Sequence, residues 1–345
     1  MKVKLSLFLL LLLALASCKH DEIVDVGNPA NDYSTGVFVV NEGGFNGTGT
    51  ISWHNETTGV TVQDVFAAEN SGAVLGQFVQ SLSFYKDRGY IVVNGASKVI
   101  VVDAKTFKQV GVITGIDGPR FFQPLNDEFA LVSYWGADGY SGGLAKVELS
   151  SLSVLETLSL PQPEKMYALD NTHVMAANVG GYGLDSTVSI VTVGNTFESI
   201  GTLKFKGAPC CFAAVNGQAA TILCKGGYGP APDYTPYPGW LGNTGNLNLG
   251  YEIPNGSDDL CASPDKSTLY FIGGGSVWSY TGASAPVKLF DQAAYGLTCN
   301  PSNGYLYCAD AKDFSSNGTV YVYKPDGTLV TSFAAGIAPG EIVIR

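Results

Sequence analysis

Histidine is nearly absent from this chain, with three in 345 residues, at positions 20, 54 and 173. So few leave no partner for a serine nucleophile. Gly139-Tyr-Ser-Gly-Gly143 formally fits GxSxG, but it sits in a glycine-rich loop rather than the strand–turn–helix setting of a nucleophile elbow. Charge is scarce too, at 14% of residues with a net −11, and no lysine or arginine cluster occurs. An acidic surface repels phosphate backbones, which argues against nucleic acid as a partner. There is no CxxC, and Cys210-Cys211 has no nearby histidine, so zinc is not expected. Beyond residue 16 no apolar run reaches membrane length.

The N-terminus reads as a leader. Met1 to Lys4 is basic, Leu5 to Ala16 is apolar, and Leu15-Ala-Ser-Cys18 places a cysteine after small residues. An apolar run of about a dozen residues is too short to span a bilayer. The pattern resembles a bacterial lipoprotein signal, and the expected organisation is a signal at 1–17, a tether at 18–35 lipidated on Cys18, and a single domain at 36–345. Membrane contact is expected through the lipid only.

What the chain has in abundance is glycine, 43 residues, and a returning β-rich phrase. It begins at Gly36, Gly89, Glu128, Thr172, Gln218, Thr268 and Gly304, as in Gly89-Tyr-Ile-Val-Val-Asn94. The spacing of about 45 residues is that of one four-stranded propeller blade. Dense Val/Ile runs suit strands covered on both faces, and turns such as Ser263-Pro-Asp-Lys-Ser267 carry hairpin chemistry. The expected fold is all-β, a seven-bladed β-propeller of antiparallel blades. Inner strands are expected at 77–84, 119–124, 163–168, 208–215, 258–263, 294–300 and 340–345. The last has no hairpin partner of its own, so it is expected to pair with Val37 to Val40 and close the ring.

Tyr90-Ile-Val-Val-Asn94, Lys98-Val-Ile-Val-Val-Asp103, Thr106, Val110, Gly115 and Gly118-Pro119 resemble the YVTN-type, YncE-like repeat. The sixth unit departs from it at Leu269 and Gly273. A YncE-like propeller behind a lipidation motif, with the acidic Cys18-Lys-His-Asp-Glu22, resembles surface lipoproteins of Bacteroidetes that work beside TonB-dependent transporters. That resemblance implies an outer-membrane, outward-facing, non-enzymatic protein that binds a nutrient and delivers it to the transporter. A corrinoid such as vitamin B12 is the implied ligand, and no cofactor is implied.

Ring closure puts the loops after each second strand on one face, and these are long, glycine-rich and aromatic. Phe45, Asn94, Arg120, Tyr134, Trp135, Tyr140, Tyr182, Tyr228, Tyr234, Tyr237, Trp240 and Phe314 are the expected ligand contacts, because rigid aromatics bury large area at low entropic cost. The segment 225–246 reads as a single long loop forming a lid or wall. Glu42, Glu69, Asp117, Asp138, Asp185, Lys225, Asp258, Asp259 and Asp313 are expected as a polar rim. A protein-docking face is one alternative. Another is a metal-dependent lactonase, which would gather Glu42, Asn94, Asn178 and Asp310 around Ca²⁺ or Mg²⁺. Cys210, Cys211, Cys224, Cys261, Cys299 and Cys308 form an even set in an exported chain, which suggests disulfides in any of fifteen pairings.

Overall fold

The computed structural model of the chain describes residues 32–180, 185–215, 219–228 and 236–345. Seven four-stranded antiparallel sheets follow one another, each a blade. Blades 2, 3 and 4 take their strands consecutively from 79–113, 119–159 and 163–204. Blade 5 runs from 208 to 253, blade 6 from 260 to 291, and blade 7 from 296 to 337. Blade 1 is composite: Val37–Asn41 pairs on one side with Thr50–His54 and on the other with Pro339–Ile344. The last strand of the chain therefore completes the first blade, and the ring has no open seam.

The Val/Ile runs of the second strands are explained by what covers them. Val37–Asn41 and Arg88–Val93 are almost wholly buried, and seven apolar clusters lie between successive blades. Between blades 2 and 3, for example, Tyr90 and Phe122 stack at 4.0 Å. Each blade is thus apolar on both faces, and fully burying one such side chain is worth about 1.5–3 kcal/mol.

Two local features repeat at the start of the inner strands. The residue just before the strand is left-handed in five blades: Phe78 (φ 53°), Gly118 (61°), Gln162 (48°), Gly207 (84°) and Ala338 (52°). The inner strand then bulges, its register slipping at Val79/Ser81, Pro119/Phe122, Pro163/Met166, Pro209/Cys211 and around Gly340. A bulge sets an extra residue against the partner strand and re-aims side chains, here toward the propeller axis.

The segment 225–246 is not one loop. Gly227–Tyr228 pairs antiparallel with Pro236–Tyr237 as a small two-stranded sheet, and Gly239–Asn243 is the third strand of blade 5. A short helix at Val65–Glu69, capped by the Asp64 carboxylate on the Ala67 N–H, was not expected from the repeat. On the face away from the long loops, Tyr33 is fully buried, its ring 4.9 Å from Trp53 and its N–H donating to the Lys105 carbonyl. Arg345 reaches the same region, donating to the carbonyls of Ala104 and Lys86.

Candidate functional site

The bulged residues converge on a polar cavity of about 90 Å³ at the axis, to which every blade contributes. Blade 1 gives Glu42, Gly340 and Glu341, blade 2 Gln80, and blade 3 Arg120. Blade 4 gives Glu164 and Lys165, blade 5 Cys210 and Lys225. Asp258 and Asp259 precede the inner strand of blade 6, and Tyr295 precedes that of blade 7.

These side chains form a nearly continuous circuit. Leu82 N–H donates to Glu341 at 2.8 Å, joining blades 1 and 2. Arg120 donates to Gln80 in blade 2 and to Glu164 in blade 4, the latter from Nε at 3.1 Å and Nη2 at 2.7 Å. Lys165 skips blade 5 to reach Asp259 at 2.8 Å, while Lys225 holds Asp258 at 2.9 Å. Asp259 also accepts the Leu297 N–H at 3.0 Å, tying blade 6 to blade 7. Tyr295 OH donates to Glu42 at 2.9 Å, returning to blade 1.

The lining holds five carboxyl groups and three cations. Three ion pairs use all the cations, leaving Glu42 and Glu341 without a cation in direct contact among the described residues. Burial pushes the Glu341 carboxyl up to about 7, against the pull of Lys165. Burial raises Glu42 as well, opposed by the Tyr295 hydrogen bond. For Lys165 burial favours the neutral amine, but Asp259 and the other acidic neighbours outweigh it, so the ammonium persists. Such a site offers both charged donors and under-engaged acceptors to a polar group entering from the loop face.

Around this cavity stands an exposed aromatic rim. Phe45 is 81% exposed, Tyr140 59%, Phe314 50% and Tyr237 40%. Glycines beside them hold open loop geometry: Gly43 (φ 88°) and Gly139 (φ 71°) occupy backbone that side-chain-bearing residues rarely adopt. Tyr134 is half-buried and lines a second, shallower cavity of about 380 Å³ with Asp117, Asp138 and Ser141. Trp135 packs against the cluster between blades 5 and 6, beneath Arg120, whose guanidinium carbon lies 4.1 Å from its ring.

Other expected contacts fall elsewhere. Trp240 lies in a strand of blade 5, half-buried against the cluster between blades 4 and 5 with Lys206 Nζ 4.2 Å over its ring, so it is a blade-packing residue. Asn94 is a strand-end cap, donating to the Pro119 carbonyl at 3.1 Å. Asp138, Asp185 and Asp313 are engaged by neighbouring backbone N–H groups. Glu69 accepts from Tyr33 OH at 2.6 Å on the opposite face, because the short helix carries it there. Of the oxygen ring a lactonase would need, Asp310 accepts a local backbone N–H, and Asn94 and Asn178 donate amide N–H groups to local partners, the Asn178 Oδ1 being buried without a partner among the described residues; no group of three or more His, Cys, Asp or Glu side chains placed to hold a metal occurs among them. Cys18, Tyr182, Tyr234 and the Tyr228 side chain lie outside the described residues.

All six expected disulfide cysteines are free thiols in this structure, so the staples expected from their even number are not formed. Cys261, Cys299 and Cys308 serve the apolar packing between blades 6 and 7 instead. Gln80, Glu164, Lys165, Tyr295 and Glu341 were not singled out by the sequence. Their signal is positional: polar residues follow proline at the same inner-strand position in Pro119-Arg120 and Pro163-Glu164.

Residues 35–207 match the family model of a domain of unknown function, DUF5074. No curated protein matches the chain. Among solved structures, a quinonprotein alcohol dehydrogenase-like protein from Bacteroides thetaiotaomicron superposes with a TM-score of 0.67 at 16% identity, over 91% of this chain and 79% of that one. A functionally unknown protein from Desulfotomaculum acetoxidans gives 0.63 at 13%, over 90% and 98%. Hydrazine synthase from Kuenenia stuttgartiensis gives 0.60 at 14%, over 78% and 92%. At these identities the likeness shows a shared fold.

Proposed function

We propose that this chain, which belongs to the DUF5074 family, is a non-enzymatic binding protein. It captures a nutrient on the aromatic face, anchored through Cys18 to the outer membrane and passing its ligand to a TonB-dependent transporter. The observation that carries the reading is the pairing of an exposed aromatic rim with a polar cavity holding two carboxyl groups free of direct ion pairs. The aromatics suit a broad apolar surface, and the cavity suits a polar arm that donates hydrogen bonds to Glu42 and Glu341. A corrinoid, the ligand implied by the YncE-like resemblance, has that character: a wide ring edged with primary amides.

The test is equilibrium binding of corrinoids, haem and glycans, read by the rise in melting temperature at saturating ligand. A corrinoid is expected to raise it; if none of the panel does, small-molecule capture is abandoned.

A further inference from the structure

Cys210 and Cys211 are neighbours in sequence, yet their sulfurs lie 3.3 Å apart and both are buried. In a regular strand adjacent side chains point to opposite faces. Here the bulge between Pro209 and Cys211 suspends that alternation and turns both thiols to one side. Both reach the same Asp258 carbonyl oxygen, at 3.9 Å from Cys210 and 3.7 Å from Cys211. Cys210 lines the axial cavity, and Cys211 stands behind it in the apolar cluster between blades 5 and 6. Ligand capture uses neither thiol.

We propose that Cys210 and Cys211 form a redox site that closes to a vicinal disulfide by exchange with a low-molecular-weight disulfide entering through the axial cavity. The Cys210 sulfur, as thiolate, attacks one sulfur of the small disulfide; a mixed disulfide forms and one small thiolate leaves. The Cys211 sulfur, on losing its proton, then attacks Cys210 and expels the second small thiolate. The two cysteines lose two electrons and two protons, and the small disulfide becomes two thiols.

The geometry favours closure and keeps it reversible. At 3.3 Å the sulfurs are within about 1.3 Å of a bond of about 2.0 Å. Across a trans peptide the Cα atoms are about 3.8 Å apart, whereas ordinary disulfides span about 4.4–6.8 Å. A bridge held that tightly is strained and easily reduced, the character of a regulatory rather than a stapling disulfide. Burial, then the neighbouring Cys211, raise the Cys210 thiol, with Lys225 opposing, so exchange runs through a scarce thiolate and closure is slow at neutral pH.

The test uses the full chain, reduced, then exposed to oxidised glutathione, alkylated under denaturing conditions and mapped by peptide mass. The peptide carrying both residues is expected to lose both alkyl groups and to run about 2 Da below its reduced mass, with dithiothreitol restoring it. Cys211→Ser is expected to stop at one glutathione on Cys210. The proposal is overturned if the wild-type peptide remains doubly alkylated, or if either cysteine is joined to Cys224, Cys261, Cys299 or Cys308. The wild-type map decides even if the variant does not fold, and its readout is independent of ligand binding.

Discussion

The Arg120 guanidinium lies 4.1 Å from the centroid of the Trp135 ring, and the indole Nε1 beneath it is buried without a hydrogen-bond partner among the described residues. Arg120 thus caps an aromatic side chain while holding Glu164 through two nitrogens. A planar guanidinium can stack and bind a carboxylate at once; an ammonium cannot reproduce both.

Arg120→Ala should therefore be costly. Glu164 is 6% exposed and would keep a buried charge with its partner removed, a loss of about 3 kcal/mol or more. Arg120→Ala combined with Glu164→Gln should recover much of it. Urea denaturation of the two variants checks this; equal stabilities would mean that Glu164 is not stranded by the loss of arginine.

Glu341 should make stability fall as pH rises. Its folded value, about 7, lies above the ordinary 4.5, so between these pH values the folded state binds more protons than the unfolded. Stability from this group is greatest below about pH 4.5 and is lost by about pH 7. Glu42 shifts in the same direction. Asp138, Asp170 and Asp265, lowered to about 2 by local hydrogen bonds, act oppositely but between about pH 2 and 3.8. Glu341→Gln should flatten the decline between pH 4.5 and 7 in melts followed across pH; an unchanged slope would remove Glu341 as its source.

Deleting residues 340–345 should unmake the closing blade. Val37–Asn41 would lose its inner partner, and Ile342 its place between blades 7 and 1. At about 2–4 °C per kcal/mol, a loss of several kcal/mol lowers the melting temperature by about 10 °C or more. A melting temperature unchanged by the deletion would show that the seam is not held by this strand.

Phe45→Ala and Tyr140→Ala should leave folding almost untouched, within about 0.5 kcal/mol, since these side chains are mostly exposed, whereas Phe314→Ala should cost somewhat more, the ring being half-buried against Tyr295. A contact aromatic typically contributes more than about 1 kcal/mol, so each substitution that meets the ligand should weaken binding by about fivefold or more. Calorimetric titration compares the variants. Full affinity in all three would move the ligand off the aromatic rim.

The ring was legible because its repeat is a packing repeat. Pro119–Pro124 and Pro163–Ala168 fall where the sequence placed them, each started by a proline after a left-handed residue. The rim residues Phe45, Tyr140 and Phe314 were legible because large aromatics in polar or glycine-rich loops have little core to enter. The axial cavity was not. Period-two alternation sends Glu164 and Lys165 to opposite faces of a strand, and only the bulge between Pro163 and Met166 lets both serve the axis. Trp240 misled for the converse reason: aromatic and close to a long connection, it belongs to a strand register set by pairing with Cys224.

The burial of Tyr33 has a mechanical consequence. A pull applied at Tyr33 along the strand axis passes to Val37–Asn41, a strand bonded on both sides. Load on such a strand acts as shear along two rows of hydrogen bonds, which must yield together rather than unzip singly. The same composite blade that closes the circle is thus the point at which the propeller would bear a pull on Tyr33.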